Sequence, residues 1–196
     1  MYSIKKNIIS MINSSSKLAF KVLKKVLTVL VTRLSINKIS INKQSDLFKS
    51  VGLNRHLGKE FLEKILKKEF NIAYDENNGM FSEHLILFAA IAKSGLRINS
   101  ILEIGTFDAK TTLILSRLFP KASVITVDLP EDDIEFSSTY NRKNEIKEFI
   151  TKRNKVLNSS KKIQFKQINS LDIYNWDEKF DLIWVDGAHG YPYIAM

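Results

Sequence analysis

Between residues 99 and 194 short apolar runs alternate with longer amphipathic ones. Ile101, Leu102 and Ile104 mark a buried strand over 100–104, and Gly105 turns the chain. Residues 110–118 have helical spacing, closed by Pro120. A second strand runs over 123–127 and ends at Asp128; a helix is predicted over 140–156, a third strand over 162–168 and a fourth over 180–185. Strands that alternate with helices imply βαβ units, hence an α/β fold on a parallel sheet with right-handed crossovers.

Upstream the pattern is helical. Over 18–34, Leu18, Phe20, Val22, Leu23, Val26, Leu27, Val29, Leu30 and Leu34 fill one broad arc, with Lys17, Lys21, Lys24 and Lys25 opposite. A helix over 58–69 turns Phe61, Ile65 and Leu66 to one side. A turn-rich break at 75–79 precedes a strongly apolar helix over 82–93, with Ser82 as N-cap, Glu83 in its first turn and Ser94-Gly95 at its end. Three regions follow: a basic amphipathic segment (1–45), a helical lead-in (46–98) and the α/β region (99–196).

Charge separates these regions further. The formal net charge is +9, and residues 1–50 hold ten Lys and Arg against one acid, Asp46. The remaining residues balance at twenty basic and twenty acidic, so the main domain has no charge-based reason to bind nucleic acid. The lysine-faced helix over 18–34 is too short in its apolar run to span a bilayer and too rich in lysine for a signal-peptide core. It suits peripheral contact with an anionic membrane surface; packing on its own domain or on a second subunit is the plainer alternative. Apolar residues at 44% supply a core, and the absence of cysteine excludes disulfides, thiolate metal sites and a cysteine nucleophile. A reducing, cytoplasmic setting fits, with the membrane surface as its variant.

Candidate chemistry gathers at predicted strand ends. The first turn reads Glu103-Ile104-Gly105-Thr106-Phe107-Asp108-Ala109. A glycine there lets backbone approach a ligand, and the next helix offers N–H groups to an anion. Asp128 is placed to accept two ribose hydroxyls, or else to cap its own turn. A nicotinamide site would want Gly-x-Gly-x-x-Gly, of which only Gly105 is present. The fourth strand runs into Asp186-Gly187-Ala188-His189. Asp186 and His189 are positioned to share a divalent metal, to share a proton-transfer role, or to leave Asp186 holding the turn beside an exposed His189.

Together these segments resemble the class I S-adenosylmethionine-dependent methyltransferases of small molecules. The resemblance rests on Leu102-Glu103-Ile104-Gly105-Thr106-Phe107 and on Phe180-Asp181-Leu182-Ile183 with Asp186-Gly187 and His189, in order and at the right spacing, and covers residues 80–194. It implies the first half of a Rossmann-like methyltransferase sheet. It also implies an enzyme that moves a methyl group from S-adenosylmethionine to an oxygen or nitrogen of a small-molecule acceptor. Glu103 and Gly105 would shape the loop around the methionine part. Thr106, Phe107 and the amides near Thr111 would border its carboxylate and sulfonium. Asp128 would hold the ribose, and Asn169 and Ser170 the adenine. Asp186 and His189 would face the acceptor, with the stretch from Met80 to His84 near the mouth.

Two positions depart from the family. Ala109 stands where relatives carry a second glycine, a change expected to be tolerated. The family fold has seven strands, whereas the predicted strands here reach the fourth at 180–185. A truncated fragment is therefore expected, with little methyl transfer of its own and a fourth strand prone to pair with another copy. The competing expectation is a catalytically inactive remnant or membrane-associated binding module that keeps the cofactor half-site.

Overall fold

The computed structural model describes residues 41–75, 83–138 and 145–187. The helix expected over 18–34, the Ser82 cap, the start of the helix expected over 140–156, and His189 lie outside the described residues. The chain divides into two compact units, Met1–Gln44 and Ser45–Met196, and the fold below is that of the second.

Helix α1 (Ile41–Ser50) buries Phe48. Helix α2 (Arg55–Phe70) starts three residues earlier than its apolar pattern suggests, because Asn54 caps it by accepting from the Leu57 amide. It ends at Asn71, whose N–H donates to the Lys67 carbonyl and whose left-handed backbone (φ 55°) turns the Ile72 N–H onto the Leu66 carbonyl. Helix α3 (Glu83–Lys93) is apolar on most sides and buries Leu85, Ile86, Phe88, Ala89 and Ala90. The stripe of α2 that meets the core is Gly58, Leu62, Ile65 and Leu66, with Phe61 only partly buried beside it. At Gly58 the two helix backbones touch: a Cβ there would lie 2.8 Å from the Ile86 carbonyl oxygen and 2.8 Å from the Ala90 nitrogen. Alanine ordinarily stabilises a helix interior over glycine by about 1 kcal/mol. Here the sign reverses, and Gly58→Ala is expected to cost roughly 1–3 kcal/mol through overpacking. A urea-unfolding midpoint equal to or above that of the parent chain would refute this.

Strands β1 (Ser100–Ile104), β2 (Ser123–Asp128), β3 (Ile163–Gln167) and β4 (Leu182–Val185) form one all-parallel sheet in the order β3-β2-β1-β4. Helix α4 (Lys110–Leu118) links β1 to β2, and α5 (Ile134–Ser138) and α6 (Ile146–Leu157) link β2 to β3. This is the α/β, Rossmann-like architecture expected from the strand–helix alternation. The short helix α5 was not expected, and among the described residues the link from β3 to β4 carries only a 3-10 helix, Ser170–Asn175. No helix of the described residues is long and apolar enough to cross a membrane.

Register fixes what each face presents. Ile163, Val124, Ile101 and Leu182 stand side by side and close the core against α2, α3 and α4. One step nearer the strands' carboxyl ends, the row is Phe165, Thr126, Glu103 and Trp184. At the opposite end of the sheet Asp181 clamps β4 to β1, its Oδ2 accepting from the Asn99 and Ser100 amides at 2.7 and 3.1 Å. Those amides hold the Asp181 carboxyl below its ordinary range. Strand β4 has the apolar sequence of a central strand yet borders the sheet, so Leu182 and Trp184 pack on the core while Ile183 and Val185 remain 53% and 61% exposed.

Candidate functional site

The chain leaves β1 toward β2 on one side of the sheet and returns to β4 on the other. The reversal falls between β1 and β4, where open α/β sheets form their ligand crevice. The floor of that crevice is a close backbone contact. Gly105 has φ +102°, and a Cβ on it would overlap the Asp186 carbonyl, 2.6 Å from its carbon and 3.0 Å from the Gly187 nitrogen. Strand-like bonds hold the contact in place: the Asp186 N–H donates to Ile104 O at 2.7 Å and the Gly105 N–H to Val127 O at 2.9 Å.

The turn from β1 into α4 is built from left-handed residues. Phe107 (φ 46°) and Ala109 (φ 63°) both adopt a conformation that favours glycine. The Ala109 methyl is fully buried there. Ala109 is also the N-cap of α4 and offers no side-chain bond. Thr111, in the first turn of this helix, is half-buried. The Asp108 carboxylate folds back to accept from the Lys110 amide at 3.1 Å and pairs with Lys110 Nζ at 2.8 Å.

Asp128 faces this turn from the end of β2. Its Oδ2 accepts from the Phe107 N–H and its Oδ1 from the Leu129 N–H, both at 2.9 Å. The two amides fix the carboxylate at the crevice edge. The Phe107 ring turns away to pack on Phe149 of α6, centroids 5.4 Å apart.

Glu103 lies beneath, fully buried. Thr112 Oγ1 and Thr126 Oγ1 both donate to its Oε2, the second at 2.7 Å, and Thr106 Oγ1 in turn donates to Thr126 at 2.6 Å. Its Oε1 is buried with no hydrogen-bond partner among the described residues, as is the indole N–H of its cross-strand neighbour Trp184. Burial pushes the Glu103 carboxyl up to about 8, against the two threonine hydroxyls, and the carboxylates of Asp186 and Asp128 add to the rise. Glu103 is thus a neutral acid at pH 7, hydrogen-bonded into the sheet rather than lining a surface.

Asn169 follows β3 and caps the 3-10 helix, its Oδ1 accepting from the Leu171 amide at 3.0 Å. The remaining acceptor capacity of Oδ1 and the amide N–H groups stay available to a base edge. Ser170 opens that helix and is exposed.

Arg153 carries no obvious sequence signal, whereas His84 belongs to the stretch expected near the mouth. Arg153 of α6 is fully buried, its guanidinium 4.6 Å from the Phe165 ring centroid and paired with Glu131, which also accepts from Gln167 at 2.9 Å. This cluster ties the loop after β2 to the end of β3. His84 stacks on Trp184 with centroids 4.5 Å apart, and Phe88 meets both rings edge-on. Its neighbour Glu83 is held by Arg55 of α2 at 2.7 Å and 3.3 Å in a two-point ion pair. Among the described residues no group of three or more His, Cys, Asp or Glu side chains could hold a metal ion. The structure therefore gives the divalent-metal expectation no support at Asp186, and His189 lies outside the described residues.

The chain matches no protein-family model and no curated protein. Among solved structures it is similar to a provisionally assigned O-methyltransferase from Klebsiella pneumoniae, with 17% identity and a TM-score of 0.35 over 83% of this chain and 59% of that one. It is also similar to the O-methyltransferase TomG from Streptomyces achromogenes, involved in tomaymycin synthesis and solved with SAM, with 16% identity and a TM-score of 0.37 over 72% of this chain and 58% of that one. The chain thus spans under three-fifths of the length of either. A likeness this distant adds nothing to the topology described above.

Proposed function

We propose that this chain binds S-adenosylmethionine along the carboxyl ends of β1, β2 and β3, as a methyltransferase acting on an oxygen or nitrogen of a small molecule. The observation that carries this reading is the Asp128 carboxylate, pinned by the Phe107 and Leu129 amides across the turn from Gly105. An acid fixed there matches the ribose-binding acid of nucleotide-binding α/β sheets. The other groups fit the same ligand. Ala109, the N-cap of α4, offers no capping side chain, so beyond the Lys110 amide taken by Asp108 the first-turn amides face the ligand end of the sheet, and Gly105 lets the turn close on the Asp186 backbone at the switch point.

On this reading the amides at the start of α4 and the turn around Thr106 and Phe107 hold the methionine end. Asp128 orients the ribose, and Asn169 and Ser170 meet the adenine. Asp186, beyond β4, borders the acceptor, with His189 expected beside it. The bound cofactor supplies an activated methyl carbon, so the chain's own task is to position the acceptor and move its proton.

Asp128→Ala is expected to weaken S-adenosylmethionine binding by roughly 1.5–3 kcal/mol, the range for hydrogen bonds to a charged group. Titration calorimetry measures it, with a thermal melt to verify that the variant folds. A folded variant with the parent's affinity removes Asp128 from the site, and a folded parent chain that binds nothing at millimolar ligand refutes the reading. The competing reading is a chain that binds cofactor without turning it over. It predicts the same calorimetry and no methyl transfer to any acceptor.

A further inference from the structure

His84 closes the stretch expected near the mouth of the site, and the roles given above leave it without a task. His84 sits in the first turn of α3, yet its ring stacks 4.5 Å from Trp184, two residues before Asp186. The imidazole therefore stands over the carboxyl end of β4, on the side of the switch point away from Asp128. The edge of Phe88 fixes the ring from the next turn of the same helix.

We propose that His84 is the base that takes the proton from the acceptor during methyl transfer; this rests on the reading of the site given above. The acceptor's O–H bond breaks and its proton bonds to an imidazole nitrogen, giving imidazolium. The oxygen's electron pair forms the bond to the methyl carbon as the methyl–sulfur bond breaks, and that bond's electrons stay on sulfur as a neutral thioether. The imidazolium then returns its proton to solvent.

Charges around His84 suit the role. Burial holds its pKa below the usual 6.5, so the ring is neutral and able to accept at pH 7, while Asp186 opposes that shift and stabilises the imidazolium once formed. The adjacent Glu83 is neutralised by Arg55 of α2, and Glu103 of β1, behind Trp184, is itself protonated at pH 7. Among the described residues, Asp186 is thus the carboxylate that acts on His84.

The test uses ligand charge as a local probe and needs no known acceptor. S-adenosylmethionine carries a sulfonium at the transfer position, and S-adenosylhomocysteine a neutral thioether. The imidazole resonances of the full chain are titrated by NMR with each ligand at saturation, with His84→Gln assigning the signal. A histidine facing the transfer position should titrate lower by about half a pH unit or more in the sulfonium complex. Asp186→Asn should lower the His84 midpoint further in the free chain. Equal His84 midpoints in the two complexes would overturn the role while leaving the cofactor site intact. Failure of both ligands to bind would overturn the site and the role together.

Discussion

Gly105→Ala is expected to be the most damaging single-methyl change in the described chain. Two costs combine. At φ +102° a residue with a Cβ is strained, which costs on the order of 1–2 kcal/mol. The added methyl also has no room, since it meets backbone, the Asp186 carbonyl and the Gly187 nitrogen, rather than a side chain that could swing aside. To admit it the turn after β1 must part from the end of β4, which strains the bonds from Asp186 N–H to Ile104 and from Gly105 N–H to Val127. Overpacking of this kind costs roughly a further 1–3 kcal/mol. A total of about 2–5 kcal/mol is expected, which for a chain of this size lowers Tm by roughly 4–20 °C. Cofactor binding should fall with it, because the same contact shapes the crevice. Gly187→Ala is the matched control: a Cβ there comes no nearer than 4.0 Å to Ile104 Cγ2, so its Tm should stay within a few degrees. Equal melting of the two variants would mean that the β1–β4 contact is not as tight as described.

That contact shows where the sequence was legible. The turn at Gly105 and the strand ends at Asp128 and Asp186 could be read because each is local: an apolar run, then a turn residue, then a polar one. The parallel sheet followed from the alternation alone. Glu103 is a different case. Its neutrality comes from burial under the assembled fold, and the hydroxyls of Thr112 and Thr126 that hold it are brought by a helix and by a neighbouring strand. No spacing rule links these positions. Arg153 shows the same limit. In sequence it is one more base in a lysine-rich helix, and only the fold encloses it between Phe136 and Phe165. The start of α2 was missed for a smaller reason: Asn54 caps from outside the apolar pattern that marked the helix. His84 was legible as a position near the mouth, but its pairing with Trp184 joins residues a hundred apart in sequence.

Glu103 is expected to lower the stability of the chain as pH rises from about 4.5 to 8. Its carboxyl ionises at about 8 in the folded protein and near its ordinary 4.5 when unfolded. Below 4.5 both states carry the proton and the difference has no effect. Between the two values the unfolded chain releases a proton that the native chain keeps, so each step up in pH favours unfolding. Above 8 both states are ionised and the loss is complete. Asp181 acts in the opposite sense and elsewhere: its depressed carboxyl adds stability that is lost only as pH falls through its folded value, below 3.8. Those two windows do not overlap, but the depressed His84 imidazole adds stability as pH rises toward 6.5, against Glu103, so the slope from pH 6.5 to 8 is the one that reports on Glu103. Glu103→Gln keeps a side-chain oxygen for Thr112 and Thr126 but cannot ionise. Its stability should therefore be flatter than the parent's from pH 6.5 to 8, and the gap between the two proteins should shift in the variant's favour as pH rises. Urea-unfolding curves at pH 5, 6.5 and 8 measure this directly. Parallel pH profiles for parent and variant would show that Glu103 is ionised in the native protein at pH 7. A negative charge, and not a neutral acid, would then lie buried beneath the crevice.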